Sequence, residues 1–119
     1  MKAILLVSHG SRSPKTKEEI ITLVNILRQR LPGQLVEYAF LEIESPSIPE
    51  GIDHCVIKGA NEIIVTLNFL NAGRHVDNDI PVIVQNAKVK YPQIKFSISK
   101  ALGQHPQIPD LFIDLIKNV

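Results

Sequence analysis

The chain has very little cysteine, no concentration of charge of either sign and no long apolar run, and each shortage excludes a class of protein. Its single cysteine, Cys55, rules out an internal disulfide and a zinc site built from several thiolates. In a helix-like segment it reads as a small buried hydrophobe. Lys and Arg number 13 against 12 Asp and Glu, for a net charge of +1, and they are dispersed. The electrostatic footprint of a nucleic-acid binder is therefore missing. The apolar opening Ala3-Ile4-Leu5-Leu6-Val7 is too short for the core of a signal peptide or for a membrane span, which sets the expectation of a cytoplasmic protein with no membrane partner. The glycine spacing of a dinucleotide fingerprint or a P-loop is also missing, as are internal repeats and low-complexity linkers.

What is there is an ordinary globular composition: 119 residues, 45% hydrophobic and 21% charged, enough for one domain over residues 1–119. Ala3–Val7 is continuously apolar and stops at Ser8-His9-Gly10-Ser11, the pattern of a strand buried on both faces. After Ser13-Pro14, a cap and a first-turn proline, the apolar positions Ile20, Leu23, Val24, Leu27 and Leu31 carry helical spacing to Arg30. Pro32-Gly33 stops that helix, and Leu35–Leu41 reads as a second strand. A shorter helix is expected from Ile48 to Lys58, weakened by Pro49 and Gly51 and ended by Gly59. Strand three is expected over Glu62–Leu67, a helix over Asp79–Lys90, strand four over Ile94–Ile98 and a last helix over Ile108–Lys117. Four β-α units in series predict an α/β domain with a parallel sheet of about four strands and helices on both faces, layered as in flavodoxin.

In such sheets ligands collect outside the carboxyl ends of the strands. His9 follows the first strand, Glu42 the second and His75 the third. Two neutral imidazoles opening on one rim can bind a borderline transition metal or take protons near neutral pH, and a carboxylate beside them can assist either task. The plainer alternatives are a local hydrogen bond or helix cap for each histidine, and a solvated strand end for Glu42. Glu44 reads as solvent-facing, Asp79 as the cap of the helix it precedes, His54 as surface or packing, and His105 as part of a turn before Pro106. The loop His9-Gly10-Ser11-Arg12-Ser13 leads into a helix N-terminus and could instead cradle a phosphate, which keeps open a phosphate-handling enzyme of flavodoxin-like topology.

Taken together, Leu6-Val7-Ser8-His9-Gly10-Ser11-Arg12, Phe40-Leu41-Glu42 with Pro46 to Gly51, Phe69-Leu70 through Gly73, His75-Val76 and Asp79-Ile80-Pro81, and Leu102 to Pro106 resemble the sirohydrochlorin chelatase family of the short CbiX/SirB type. The resemblance spans essentially the whole chain. It implies ATP-independent insertion of a divalent metal, cobalt first with iron or nickel as alternatives, into sirohydrochlorin, on the way to cobalamin, siroheme or a nickel tetrapyrrole. The metal is then substrate rather than a permanent cofactor. The family's two active-site histidines fall on His9 and His75 and its supporting carboxylate on Glu42; short members pair as homodimers. The substrate is rich in carboxylates, so Ser11, Arg12 and Arg74 are candidate binding groups. Asn68, where members often carry Pro, Asn71 and Arg74 depart from the pattern. A metal or tetrapyrrole carrier using the same pocket without insertion is the rival reading from a different class.

Overall fold

The structure, a computed structural model, describes residues 1–119. Four strands, β1 (Lys2–Ser8), β2 (Leu35–Phe40), β3 (Glu62–Leu67) and β4 (Lys95–Ala101), form one parallel sheet in the order β2-β1-β3-β4. The helices are α1 (Pro14–Arg30), α2 (Ile48–Ile57), α3 (Ile80–Lys90) and α4 (Ile108–Lys117). The α/β parallel sheet with helices on both faces is as the alternation of elements predicts.

β1 lies centrally, paired along its length with β2 on one side and β3 on the other, which is why its sequence is apolar at every position from Ala3 to Val7. The chain moves from β1 to β2 in one direction and from β2 to β3 to β4 in the other. Right-handed crossovers then put α1 on one face and α2 and α3 on the opposite face. The cores agree. Leu6, Val36 and Phe40 pack with Ile20 and Val24 of α1, whereas Leu5, Val7, Ile63 and Val65 pack with Ile48 and Ile52 of α2 and Ile80 and Val84 of α3. Cys55 is fully buried in this second core, and desolvation pushes its thiol up to about 12, so it is an inert packing group.

Several boundaries differ from expectation for identifiable reasons. α2 forms cleanly despite Pro49 and Gly51 because Ser47 and Glu50 close a capping box: Glu50 N–H donates to Ser47 Oγ and Ser47 N–H to the Glu50 carboxylate. β4 begins one residue later than expected and runs on to Ala101, with a register irregularity opposite Val65–Leu67. α3 does not begin at Asp79. It is entered through a π-helical turn, His75–Asp79, closed by Ile80 N–H donating to the carbonyl of His75.

The expected last helix also forms, but it does not join the layers. Every residue from Pro109 to Val119 is exposed, and the molecule extends 48 Å along its longest axis against 33 and 29 Å along the others.

Candidate metal centre

With β1 flanked by β2 and β3, the chain reverses its direction of progress at β1, and the crevice above the ends of β1 and β3 is the topological switch point. His9 leaves β1 and His75 follows β3 at this rim, and Glu42 arrives from the neighbouring β2. Their ring centroids place His9 and His75 5.1 Å apart, and Glu42 Oε1 lies 2.6 Å from His9 Nε2. One ligand atom from each of His9, Glu42 and His75 lies within 4.8 Å of the others. The side chains of His9, Glu42 and His75 are 47, 51 and 46% exposed. Small rotations, which half-exposed side chains make freely, suffice to converge the three on one divalent ion.

The loop bearing His9 is held from below. Leu41 N–H donates to Ser8 O and Glu42 N–H to His9 O, so the pairing of β1 with β2 continues past both strand ends. Gly10, at φ +105°, lies so close to this segment that a Cβ would sit 1.9 Å from the carbonyl oxygen of Glu42. Only glycine permits that approach. Glu44 N–H then donates to Glu42 O across Ile43, whose φ is +72°. This is the rare γ-turn of positive φ, strained for a β-branched residue. The turn throws the Glu44 carboxylate back onto the His9 loop, where it accepts a hydrogen bond from Ser11 N–H at 2.7 Å. Glu44 is thus a clamp on the loop rather than the solvent-facing residue its sequence suggests. Its negative charge also occupies an N–H that a bound phosphate would use, which counts against the phosphate reading.

His75 is oriented by Asp79, whose Oδ2 accepts from Nδ1 at 2.7 Å. The side chain expected to cap α3 makes no cap hydrogen bond and serves the histidine instead. A carboxylate on one ring nitrogen leaves the Nε2 lone pair free, the arrangement found behind metal-binding histidines. Beneath the site, Asn68 Nδ2 donates to the buried Ser8 Oγ, tying the exit of β3 to the end of β1. Neither Asp79 nor Asn68 is marked by local propensity; an i,i+4 pairing of His75 with Asp79 is the one signal the sequence offered.

The remaining candidates stand apart from this trio. Ser11 Oγ accepts from Ser13 N–H, and Ser11 and Arg12 border a shallow depression with Glu18 and Ile43. Arg12 and Arg74 are exposed and take no part in the ion pairs of the molecule. His105 accepts from Gln107 N–H in the expected turn, and His54 is exposed.

The chain resembles known proteins along nearly its whole length. A sirohydrochlorin cobaltochelatase of Priestia megaterium is 38% identical over 109 residues, 90% of this chain and 35% of that protein. A sirohydrochlorin ferrochelatase of the same organism is 29% identical over 116 residues, 98% of this chain and 44% of that protein. The crystal structure of the sirohydrochlorin chelatase SirB from Bacillus subtilis subspecies spizizenii in complex with cobalt superimposes with a TM-score of 0.90 at 30% identity, covering 99% of this chain and 50% of that one. This chain thus spans a third to a half of the length of these relatives. The family model CbiX matches residues 3–119. A match over that span, on a backbone that superimposes so closely, makes the chain a member of the CbiX family.

Proposed function

We infer that the protein inserts a divalent metal into sirohydrochlorin without ATP, with cobalt as the first choice and iron or nickel as alternatives. The observation that carries this reading is the trio His9, Glu42 and His75, half-exposed, with ligand atoms within 4.8 Å of one another at the rim of the sheet. An ion to be handed on needs a site that is weak and open. Three protein donors with solvent on the remaining positions meet that need, whereas four enclosed donors would store the metal. Related proteins named for cobalt and for iron fit a nitrogen-and-oxygen donor set that binds either, with metal supply deciding between them. The metal is substrate, and no permanent cofactor is called for.

Insertion replaces two pyrrole N–H protons by one M²⁺, so the site must deliver a cation and remove protons at the same place. His75 is suited to the first task, since Asp79 fixes the ring and leaves its Nε2 lone pair free. Once the ion has left them for the macrocycle, His9 and Glu42 are suited to the second. They already lie 2.6 Å apart and can share a proton, pass it to water and accept the next. Ser11, Arg12 and Arg74 are the groups proposed to engage the substrate's carboxylates, Arg by paired N–H donors. The working unit is a homodimer, consistent with relatives of about twice this length. No helix is long and apolar enough to cross a membrane.

The test is anaerobic spectrophotometry of sirohydrochlorin with Co²⁺, Fe²⁺ or Ni²⁺, comparing the wild type, His9→Ala and His75→Ala with the uncatalysed rate. The expected result is acceleration by the wild type that falls at least about a hundredfold in each variant. A wild type that binds the tetrapyrrole but adds nothing to the background rate would make the protein a carrier.

A further inference from the structure

One residue at the site breaks a backbone rule with no return to the fold. Ile43 stands at φ +72°, between Glu42 of the trio and Glu44, the clamp on the His9 loop. The hydrogen bond from Glu44 N–H to Glu42 O explains why the chain turns there. It does not explain why an isoleucine makes the turn. Glycine adopts positive φ without steric cost, whereas a β-branched residue there is an outlier. Burial does not compensate, because Ile43 remains 59% exposed and belongs to neither hydrophobic core. Exposure alone would carry no message, since single apolar residues are common on protein surfaces. Here it coincides with strain and with functional groups, and strain of this kind persists where a site uses it.

The position of the side chain says what could use it. A Cβ placed on Gly10, the residue after His9, would lie 3.6 Å from Ile43 Cβ. Ile43 thus flanks both the His9 loop and the carboxylate that lies 2.6 Å from His9. Away from the trio it borders, with Pro14 and Ile21 of α1, the depression around which Arg12, Lys17 and Glu18 stand. Lys17 Nζ is committed to Ser45 O, which leaves Arg12 as the cation free to meet an anion. An apolar side chain in the same depression as a free guanidinium suits a conjugated ring whose edge bears carboxylates. It offers nothing to a bare metal ion.

We propose that Ile43 is a substrate-contact residue, its side chain packing on the ring of the tetrapyrrole and setting the macrocycle over the His9 and Glu42 edge of the site. The identity of the ring rests on the chelatase reading above. The left-handed backbone fixes the direction in which the side chain leaves the turn, and branching at Cβ stiffens it there. Isoleucine is therefore a preformed apolar support, at the expense of an unfavourable φ. Such a contact is the same before and during insertion, so it holds the substrate without acting on the chemistry.

The experiment compares the wild type with Ile43→Gly, Ile43→Asn and Ile43→Leu. Glycine and asparagine accept positive φ but bring no apolar side chain, while leucine keeps one. Three quantities are measured anaerobically: binding of metal-free sirohydrochlorin by its fluorescence, Co²⁺ binding by visible absorption, and kcat and KM for insertion. In Ile43→Gly and Ile43→Asn the sirohydrochlorin dissociation constant and KM are expected to rise about tenfold, with kcat and Co²⁺ affinity within about twofold of the wild type. Ile43→Leu is expected to bind as the wild type does. So is Ile57→Ala, a control at the end of α2 that removes an isoleucine 80% exposed. Unaltered sirohydrochlorin binding in Ile43→Gly or Ile43→Asn overturns the proposal. An equal loss of sirohydrochlorin and Co²⁺ affinity in all three variants overturns it too, since Ile43 would then only shape the loop. The two readings fail separately. A wild type that accelerates insertion, with Ile43→Gly binding sirohydrochlorin equally well, refutes the contact alone. A wild type that binds sirohydrochlorin about tenfold more tightly than Ile43→Gly, yet adds nothing to the background rate, refutes the chelatase reading alone.

Discussion

At the scale of single residues, the site divides into groups that would touch the metal and groups that hold those in place. Asp79 and Glu44 belong to the second kind. Asp79→Asn keeps the shape but weakens the acceptor on His75 Nδ1, and is expected to lower Co²⁺ affinity by about tenfold with no change in unfolding midpoint. Equilibrium titration beside a thermal melt checks both halves of that statement. Gly10→Ala acts by a different route. Its Cβ would meet the Glu42 carbonyl at 1.9 Å from a backbone at positive φ, so the loop must move, at a cost of about 3 kcal/mol in unfolding free energy by urea titration. His9, Glu42 and His75 were legible in the sequence because each follows a parallel strand, and strand order alone brings such loops to one rim. Glu44 and Asp79 were not. Their roles depend on the γ-turn at Ile43 and the π-helical turn at His75–Asp79, and neither departure is favoured by the residues that adopt it.

At the scale of elements, the helices were legible where their ends carry chemistry: proline in the first turn of α1, α3 and α4, and the Ser47–Glu50 box that rescues α2. How α2 and α3 hold each other was not, because it passes through side chains far apart in sequence. Asp53 of α2 accepts from Tyr91 Oη at the end of α3 and from Lys90 Nζ. The Tyr91 hydrogen bond, followed by that of Lys90, holds the Asp53 carboxyl below its ordinary range, while desolvation opposes them. A carboxyl with a depressed folded-state pKa stabilises the fold above its unfolded pKa, and that contribution disappears as pH falls through the folded value. Tyr91→Phe is therefore expected to melt earlier than the wild type at pH 7, with the gap closing below about pH 4. Paired melts across that range read it directly. A gap that persisted in acid would place the tyrosine's contribution in packing rather than in its hydroxyl.

At the scale of the whole molecule, stability should be graded by depth in the sheet. β1 and β3 are paired on both sides and carry Leu5, Val7, Ile63 and Val65 at the centre of the larger core. Ile63→Ala should accordingly cost about 2–5 kcal/mol. Two-stage packing of this kind was foreshadowed by the apolar runs of β1 and β3. The exposure of α4 was not, since an amphipathic stripe reads the same whether or not its own sheet receives it. Hydrogen exchange separates the two cases, because amides exchange through the smallest opening that exposes them. Amides of β1 and β3 should exchange only through global unfolding, and those from Leu111 to Lys117 almost as fast as free peptide, since every residue from Pro109 to Val119 is exposed. Strong protection of the α4 amides would mean that the helix had found a surface to lie on.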